Sequence, residues 1–129
     1  MSRKILIADD NPDIVKAIDI RLRAAGYQVI SAFDSIQAVR KAHRESPDAI
    51  ILDIMMPAGD GFSVLDKLAL SSDTIVLPVI VLTASPRFDI EDKLKARGVR
   101  FFLRKPYDPD ELLKCVKKCL GEDSGQGDS

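Results

Sequence analysis

The sequence predicts an α/β fold: a doubly wound (βα)5 three-layer sandwich whose parallel sheet runs in the order 2-1-3-4-5. Five short apolar runs alternate with five longer amphipathic segments, the pattern of parallel strands joined by crossover helices on both faces. Three of the runs are apolar throughout, as strands covered on both faces must be, and two mix polar with apolar positions, as edge strands do. A chain of 129 residues, 46% of them hydrophobic, is enough for one buried core and not for two.

The elements follow in order. The first run, Lys4–Ala8 (KILIA), is a central strand. Asn11 then caps a helix with Pro12 at its first position; Ile14, Ile18, Leu22 and Ala25 recur at helical steps, and Gly26 stops it. Gln28–Ala32 (QVISA) is a mixed edge strand, followed by a helix marked by Ile36, Val39, Ala42 and His43. Ala49–Leu52 (AIIL) is the third strand and Val64, Leu65, Leu68 and Ala69 mark the third helix. Pro78–Leu82 (PVIVL) is the fourth strand. The helix after it, around Phe88–Arg97, is weak, with Ile90 and Leu94 as its clear apolar anchors. Val99–Leu103 (VRFFL) is the second edge strand. The last helix carries Leu112, Leu113, Val116 and Leu120, and Gly121 ends it. Residues 1–120 therefore form one domain. Residues 121–129 (GEDSGQGDS) lack any hydrophobic side chain and are expected to be a disordered polar tail.

Composition excludes several function classes. Nineteen basic residues face twenty acidic ones, a net charge of −1, which argues against direct DNA binding or coating of an anionic membrane. No apolar run approaches the roughly 20 residues of a membrane helix, and the start, MSRKILIADD, turns acidic too soon for a signal peptide. Cys115 and Cys119 lie four apart without a CxxC spacing or a nearby histidine, so they read as two small apolar residues on one helix face. His43, the only histidine, falls mid-helix as a partly exposed face residue. The expected compartment is the cytoplasm.

Ligands of an open parallel sheet bind beyond the carboxyl ends of the strands, where the strand order reverses. Here that is between the first and third strands. Asp9 and Asp10 follow strand one, Asp53 follows strand three, Thr83 follows strand four and Lys105 closes strand five. Crowded carboxylates need a cation or a proton to relieve their repulsion, and hard oxygen ligands suit Mg2+, with Mn2+ as the alternative ion. An ammonium and a hydroxyl beside such a metal match the charge spread over a transferring phosphoryl group, and Asp53 can serve as its nucleophile.

Four segments in this order carry a resemblance: ILIADDN with Asp9 and Asp10, ILDIMMPAGDG from Asp53 to Gly61, VLTAS with Thr83, Ala84 and Ser85, and FLRKP with Lys105 and Pro106. Together they resemble the receiver domain of two-component response regulators, a CheY-like, flavodoxin-like fold, over about residues 3–120. The family's strand order, 2-1-3-4-5, satisfies the edge and central positions argued above from strand character. The resemblance implies that Asp53 is phosphorylated, that Asp10 ligates the metal directly and Asp9 often through water, and that Met55 supplies a backbone carbonyl ligand. It implies that Thr83 is the switch hydroxyl, that the Ala84 amide and Lys105 bind the phosphoryl group, and that Phe102 is the aromatic switch residue. Tyrosine is frequent at that position, so phenylalanine keeps the ring packing without the hydroxyl. Lys105–Pro106 is expected to be a cis peptide. Pro57 would make a rigid turn, Gly61 a permissive backbone and Met56 simple packing, while Met55 and Ser85 would tune water access.

The implied partners are a sensor histidine kinase or histidine phosphotransfer protein as phosphodonor in a phosphorelay, and a downstream protein bound through the fourth helix, fifth strand and fifth helix, with a phosphorylation-dependent homodimer as a further form. The domain would be no conventional enzyme, though it would assist its own Mg2+-dependent phosphorylation and slow autodephosphorylation. The initial Met and the polar tail favour a stand-alone receiver over a fragment of a larger regulator or hybrid kinase. Three rival readings fit the residues less well. A phosphorylation-independent pseudo-receiver would have lost site residues. A haloacid-dehalogenase-like Mg-dependent phosphatase would place an acid two after the nucleophile, where Met55 stands. A nucleotide or flavin binder would want a glycine- or hydroxyl-rich loop after strand one, where ADDNPD is acidic.

Overall fold

The computed structural model describes residues 2–56, 61–84 and 88–122. Pro57, Ser85 and the tail beyond Glu122 lie outside these residues. The elements are β1 (Lys4–Ala8), α1 (Pro12–Ala24), β2 (Gln28–Ala32), α2 (Ser35–Glu45), β3 (Ala49–Asp53), α3 (Gly61–Leu68), β4 (Val79–Thr83), α4 (Phe88–Ala96), β5 (Phe101–Arg104) and α5 (Pro109–Cys119). The sheet is parallel in the expected order β2-β1-β3-β4-β5, with the two strands of mixed character, β2 and β5, at its edges.

The starts of three helices are set by short polar side chains. Asn11 accepts from the Asp13 amide at 2.9 Å, Asp34 from Gln37 at 2.7 Å and Asp108 from Asp110 at 2.9 Å, satisfying donors that a helix leaves orphaned. Three helices end in the same way. At Gly26 (φ 95°), Gly121 (φ 72°) and Gly98 (φ 81°) the backbone enters the left-handed region, and the next residue bonds back: Tyr27 N to Leu22 O at 3.0 Å, Glu122 N to Lys117 O at 2.8 Å and Val99 N to Leu94 O at 3.0 Å. This closure corrects the expected start of the fifth strand. Val99 is spent on the end of α4, where its side chain is buried, so β5 begins two residues later, at Phe101.

Alternation along the strands divides the core in two. Leu6, Ile50, Leu52 and Val81 face α2, α3 and α4; Ile5, Ile7, Ile51, Ile80 and Leu82 face α1 and α5. Some helix stripes are rotated from the expected ones. In α1 it is Val15 with Ile18 and Leu22 that is buried, with Ile14 only partly covered and Ala25 exposed. In α2 the packed positions are Ser35, Ala38 and Ala42, and Ile36 is 53% exposed. The small residues bring α2 close to the sheet, which leaves the bulkier Ile36 outside. Ala69 falls beyond α3 and is exposed. The sparse apolar face of α4 does bury both anchors, Ile90 and Leu94.

The cysteines and the histidine take no part in the strand-end cluster. Cys115 and Cys119 are free, half-buried thiols packed against the α1/α5 core, and burial pushes Cys119 up to about 11. His43 is exposed on α2, with Nδ1 3.4 Å from Asp73. No described helix is long and apolar enough to cross a membrane.

Candidate functional site

The strand ends are level. Register pairs Ala8 with Leu52, Asp53 with Leu82 and Thr83 with Arg104, so the residues that end or follow β1, β3, β4 and β5 meet at one edge. Asp9 and Asp53 are buried there at 1% and 5% exposure, and Thr83 is buried with them, while Asp10 is exposed. Ligand oxygens of Asp9, Asp10 and Asp53 all lie within 4.8 Å of one another.

Asp9 and Asp53 are held in parallel ways. One oxygen of each accepts from the backbone amide two residues on: Asn11 N to Asp9 Oδ1 and Met55 N to Asp53 Oδ1, both at 3.0 Å. The other oxygen of each lies 3.3 Å from Lys105 Nζ. Lys105 is itself anchored, its amide donating to Thr83 O at 2.8 Å, and the Lys105–Pro106 peptide is cis. Asn11 therefore both caps α1 and orients Asp9.

The charges do not balance. Three carboxylates and one ammonium leave a residual charge of −2 when all are ionised. Burial, with the charge of Asp53 adding to it, holds the Asp9 carboxyl above its ordinary value of 3.8 against the opposing Asn11 amide and Lys105. Burial pulls Lys105 down, but Asp53 and Asp9 outweigh it and keep the ammonium above its usual value. A divalent cation matches the residual charge, and an all-oxygen donor set suits a hard ion such as Mg2+. The donor chemistry thus fits a metal held by Asp9, Asp10 and Asp53.

Other predicted site residues take definite places. Met55 adjoins the cluster through its amide, with a side chain 60% exposed. Ala84 is exposed just after β4. Phe102 pairs with Val81 across β4 and packs half-buried against the α2/α3/α4 core. Gly61 corrects an expectation: its φ is not left-handed, and what demands glycine is space. A Cβ there would stand 2.7 Å from Ile54 Cα and 3.1 Å from Asp53 O. Tyr107 was not singled out from the sequence. It packs partly buried against the α1/α5 core, and burial raises its hydroxyl, with Lys105 opposing and Asp9 and Asp53 adding. Its place just after Lys105-Pro106 was the available signal.

Residues 5–117 match the family model described as the response regulator receiver domain. The chain belongs to that family. The receiver domain is 40% identical to the DNA-binding dual master transcriptional regulator RpaA of Synechocystis sp., over 91% of this chain and 48% of RpaA. It spans about half the length of the first curated relatives it matches, between 44% and 49% of each. Among solved structures, chemotaxis protein CheY4 of Vibrio cholerae superposes with a TM-score of 0.87 at 32% identity, covering 93% of this chain and all of that one. The receiver domain of sensor histidine kinase PA1611 from Pseudomonas aeruginosa, which has a magnesium ion coordinated in its active site cleft, superposes with a TM-score of 0.85 at 32% identity, covering 94% and 99%.

Two consequences of the geometry can be measured on the receiver without any partner. Gly61→Ala forces a backbone shift beneath Asp53, and chemical denaturation is expected to show a loss of about 1–3 kcal/mol. An unchanged midpoint would mean that Ile54 yields without cost. Asp9→Asn should act in the opposite direction. Because the folded state raises the Asp9 pKa, ionised Asp9 costs stability once pH rises above the ordinary value of 3.8, and the cost is fully absent below it. The amide keeps an acceptor for Asn11 N. Metal-free Asp9→Asn is therefore expected to be more stable than the parent at neutral pH and equal to it in acid. A variant less stable at neutral pH would show that the Lys105 pairing outweighs burial.

Proposed function

We propose that Asp53 accepts a phosphoryl group from a phosphohistidine on a sensor histidine kinase or histidine phosphotransfer protein, and that the aspartyl phosphate switches partner binding. The observation that carries this reading is the state of Asp53: buried at a strand end, one oxygen held by the Met55 amide, the other shared with Lys105, inside a cluster two charges short of neutral. In the transfer, the donor's N–P bond breaks as an Asp53 oxygen forms the new O–P bond, and the departing imidazole takes its proton from solvent.

Asp9, Asp10, Asp53 and the Met55 carbonyl would hold Mg2+, or Mn2+ in its place, which when bound offsets charge on the transferring group. Lys105, already between Asp9 and Asp53, moves its ammonium onto a phosphoryl oxygen. The Thr83 hydroxyl and the Ala84 amide donate to the other oxygens. Thr83 moves towards the phosphoryl group and Phe102 turns into the space behind it. The surface of α4, β5 and α5 repacks as a result and presents a new face to a downstream protein or a second receiver. The small apolar anchorage of α4 suits it to that movement. Return is by hydrolysis, with Met55 beside the path of water. The setting is cytoplasmic. RpaA is a DNA-binding regulator about twice as long as this chain, so a DNA-binding output in a longer protein is a second reading, and it leaves the receiver itself without direct contact to DNA.

Incubation with acetyl phosphate, with and without Mg2+, followed by intact-mass measurement, tests the reading. A single Mg2+-dependent phosphoryl adduct is expected. Absence of any adduct, together with no change in the amide spectrum on adding beryllofluoride and Mg2+, would leave a domain that signals by binding alone.

A further inference from the structure

A cleft of about 770 Å3 opens at the end of the sheet opposite the carboxylates, between α3, the α3–β4 connection, the α4–β5 turn and the end of α5. Its lining is about evenly polar and apolar, with Leu68, Leu77, Val79, Val99 and Phe101 among the apolar residues. Its charged lining is all of one sign: Arg97, Arg100 and Lys118, without a carboxylate. Arg97 is already engaged, paired to Asp66 at 2.9 Å and stacked over Phe62. Arg100 and Lys118 have no ion pair among the described residues. At the mouth, Ile75 and Val76 are 58% and 75% exposed.

We infer that this cleft docks an acidic segment of a partner protein that carries an apolar anchor. The anchor packs on the apolar residues and the carboxylates meet Arg100 and Lys118. Four considerations select this occupant. Ile75 and Val76 extend the apolar surface outside the cleft, where a small anionic amphiphile would leave them bare. A second copy docking through the same face by a two-fold axis would bring the Arg100 and Lys118 rims against each other. The chain's own residues 123–129 (DSGQGDS) offer carboxylates but no apolar side chain, and Glu122 before them is held by the Tyr27 hydroxyl at 2.7 Å and by Arg3. A concave site also suits a peptide better than the surface of a bilayer.

The test needs no phosphorylation. The 15N-labelled chain is titrated to low millimolar concentration with short synthetic peptides rich in Asp and Glu around a Leu, Phe or Trp anchor. Controls carry Lys in place of the acids, or Ala in place of the anchor. Saturable amide shifts are expected at Val76, Leu77, Arg100 and Phe101 with the anchored acidic peptides and with neither control. The double variant Arg100→Glu/Lys118→Glu should weaken that binding about tenfold or more while its spectrum elsewhere stays that of the parent. The proposal is overturned if those amides do not shift, or if the shifts centre on the carboxylate cluster instead. It is equally overturned if octanoate or anionic phospholipid vesicles reproduce the response, if removal of residues 123–129 is what first exposes the site, or if these amides broaden with protein concentration alone.

Discussion

Asp53→Asn is expected to abolish the phosphoryl adduct while leaving the fold intact. A carboxamide oxygen can still accept the Met55 amide that Asp53 Oδ1 now accepts at 3.0 Å, so the turn after β3 is preserved. What disappears is the anionic nucleophile, for which a neutral amide is no substitute. The substitution also removes one of three metal-ligating carboxylates, so Mg2+ should bind more weakly without being lost, because Asp9 and Asp10 remain. Intact mass after acetyl phosphate treatment, with peptide mapping of any residual label, makes the comparison. An adduct that persists at the parent's rate would move the acceptor to Asp10 or beyond the cluster and would sink the assignment of Asp53.

Lys105→Met should unbalance the site most severely in the absence of metal. The ammonium is 3.3 Å from both Asp9 and Asp53, and no other described cation pairs with either carboxylate. Without it the ionised cluster carries three negative charges. Breaking a fully buried pair costs about 3–5 kcal/mol; with Lys105 19% exposed and Asp10 open to solvent, about 2–3 kcal/mol is expected here. The pH window follows from the directions of the shifts. The raised Lys105 pKa means that its contribution is complete below the ordinary 10.5 and fades as pH rises through the folded value. At the acid end the contribution fades as its partners protonate, and the raised pKa of Asp9 makes that begin above 3.8. The deficit should therefore be largest near neutral pH. Saturating Mg2+ should narrow it by binding the native state. Phosphoryl incorporation from acetyl phosphate should slow about a hundredfold, the usual cost of losing one well-placed charge-stabilising donor. Denaturation midpoints equal to the parent's at neutral pH without Mg2+ would show that solvent already screens the carboxylates.

Two kinds of information separate at this site. Asp9, Asp10, Asp53, Thr83 and Lys105 were legible because each ends or follows an apolar run, and the alternation of runs and amphipathic segments orders those ends without reference to any contact. The caps at Asn11, Asp34 and Asp108, and the closures at Gly26, Gly98 and Gly121, act within a turn or two of the chain. Asn11, Gly26 and Gly121 could therefore be read as boundaries directly. The stripe of α2 could not, because Ile36 and Ala38 are both plausible inward positions until the helix meets the sheet and the smaller residue allows closer approach.

The sequence by itself determined the fold class, which strands stand at the edges of the sheet and the membership of the strand-end cluster, since these rest on periodicity, punctuation and the polar residues at run ends. Only the tertiary structure decided how the cluster is wired. Lys105 reaches Asp53 across 52 positions of chain and Asp9 across 96, and no local pattern encodes a distance between residues so far apart. The same is true of the space that excludes a Cβ at Gly61 and of the cationic cleft assembled from α3, the α3–β4 connection, the α4–β5 turn and the end of α5. Local signals are set by the geometry of one turn or one strand, whereas these features exist only once packed elements bring remote side chains within a few ångströms.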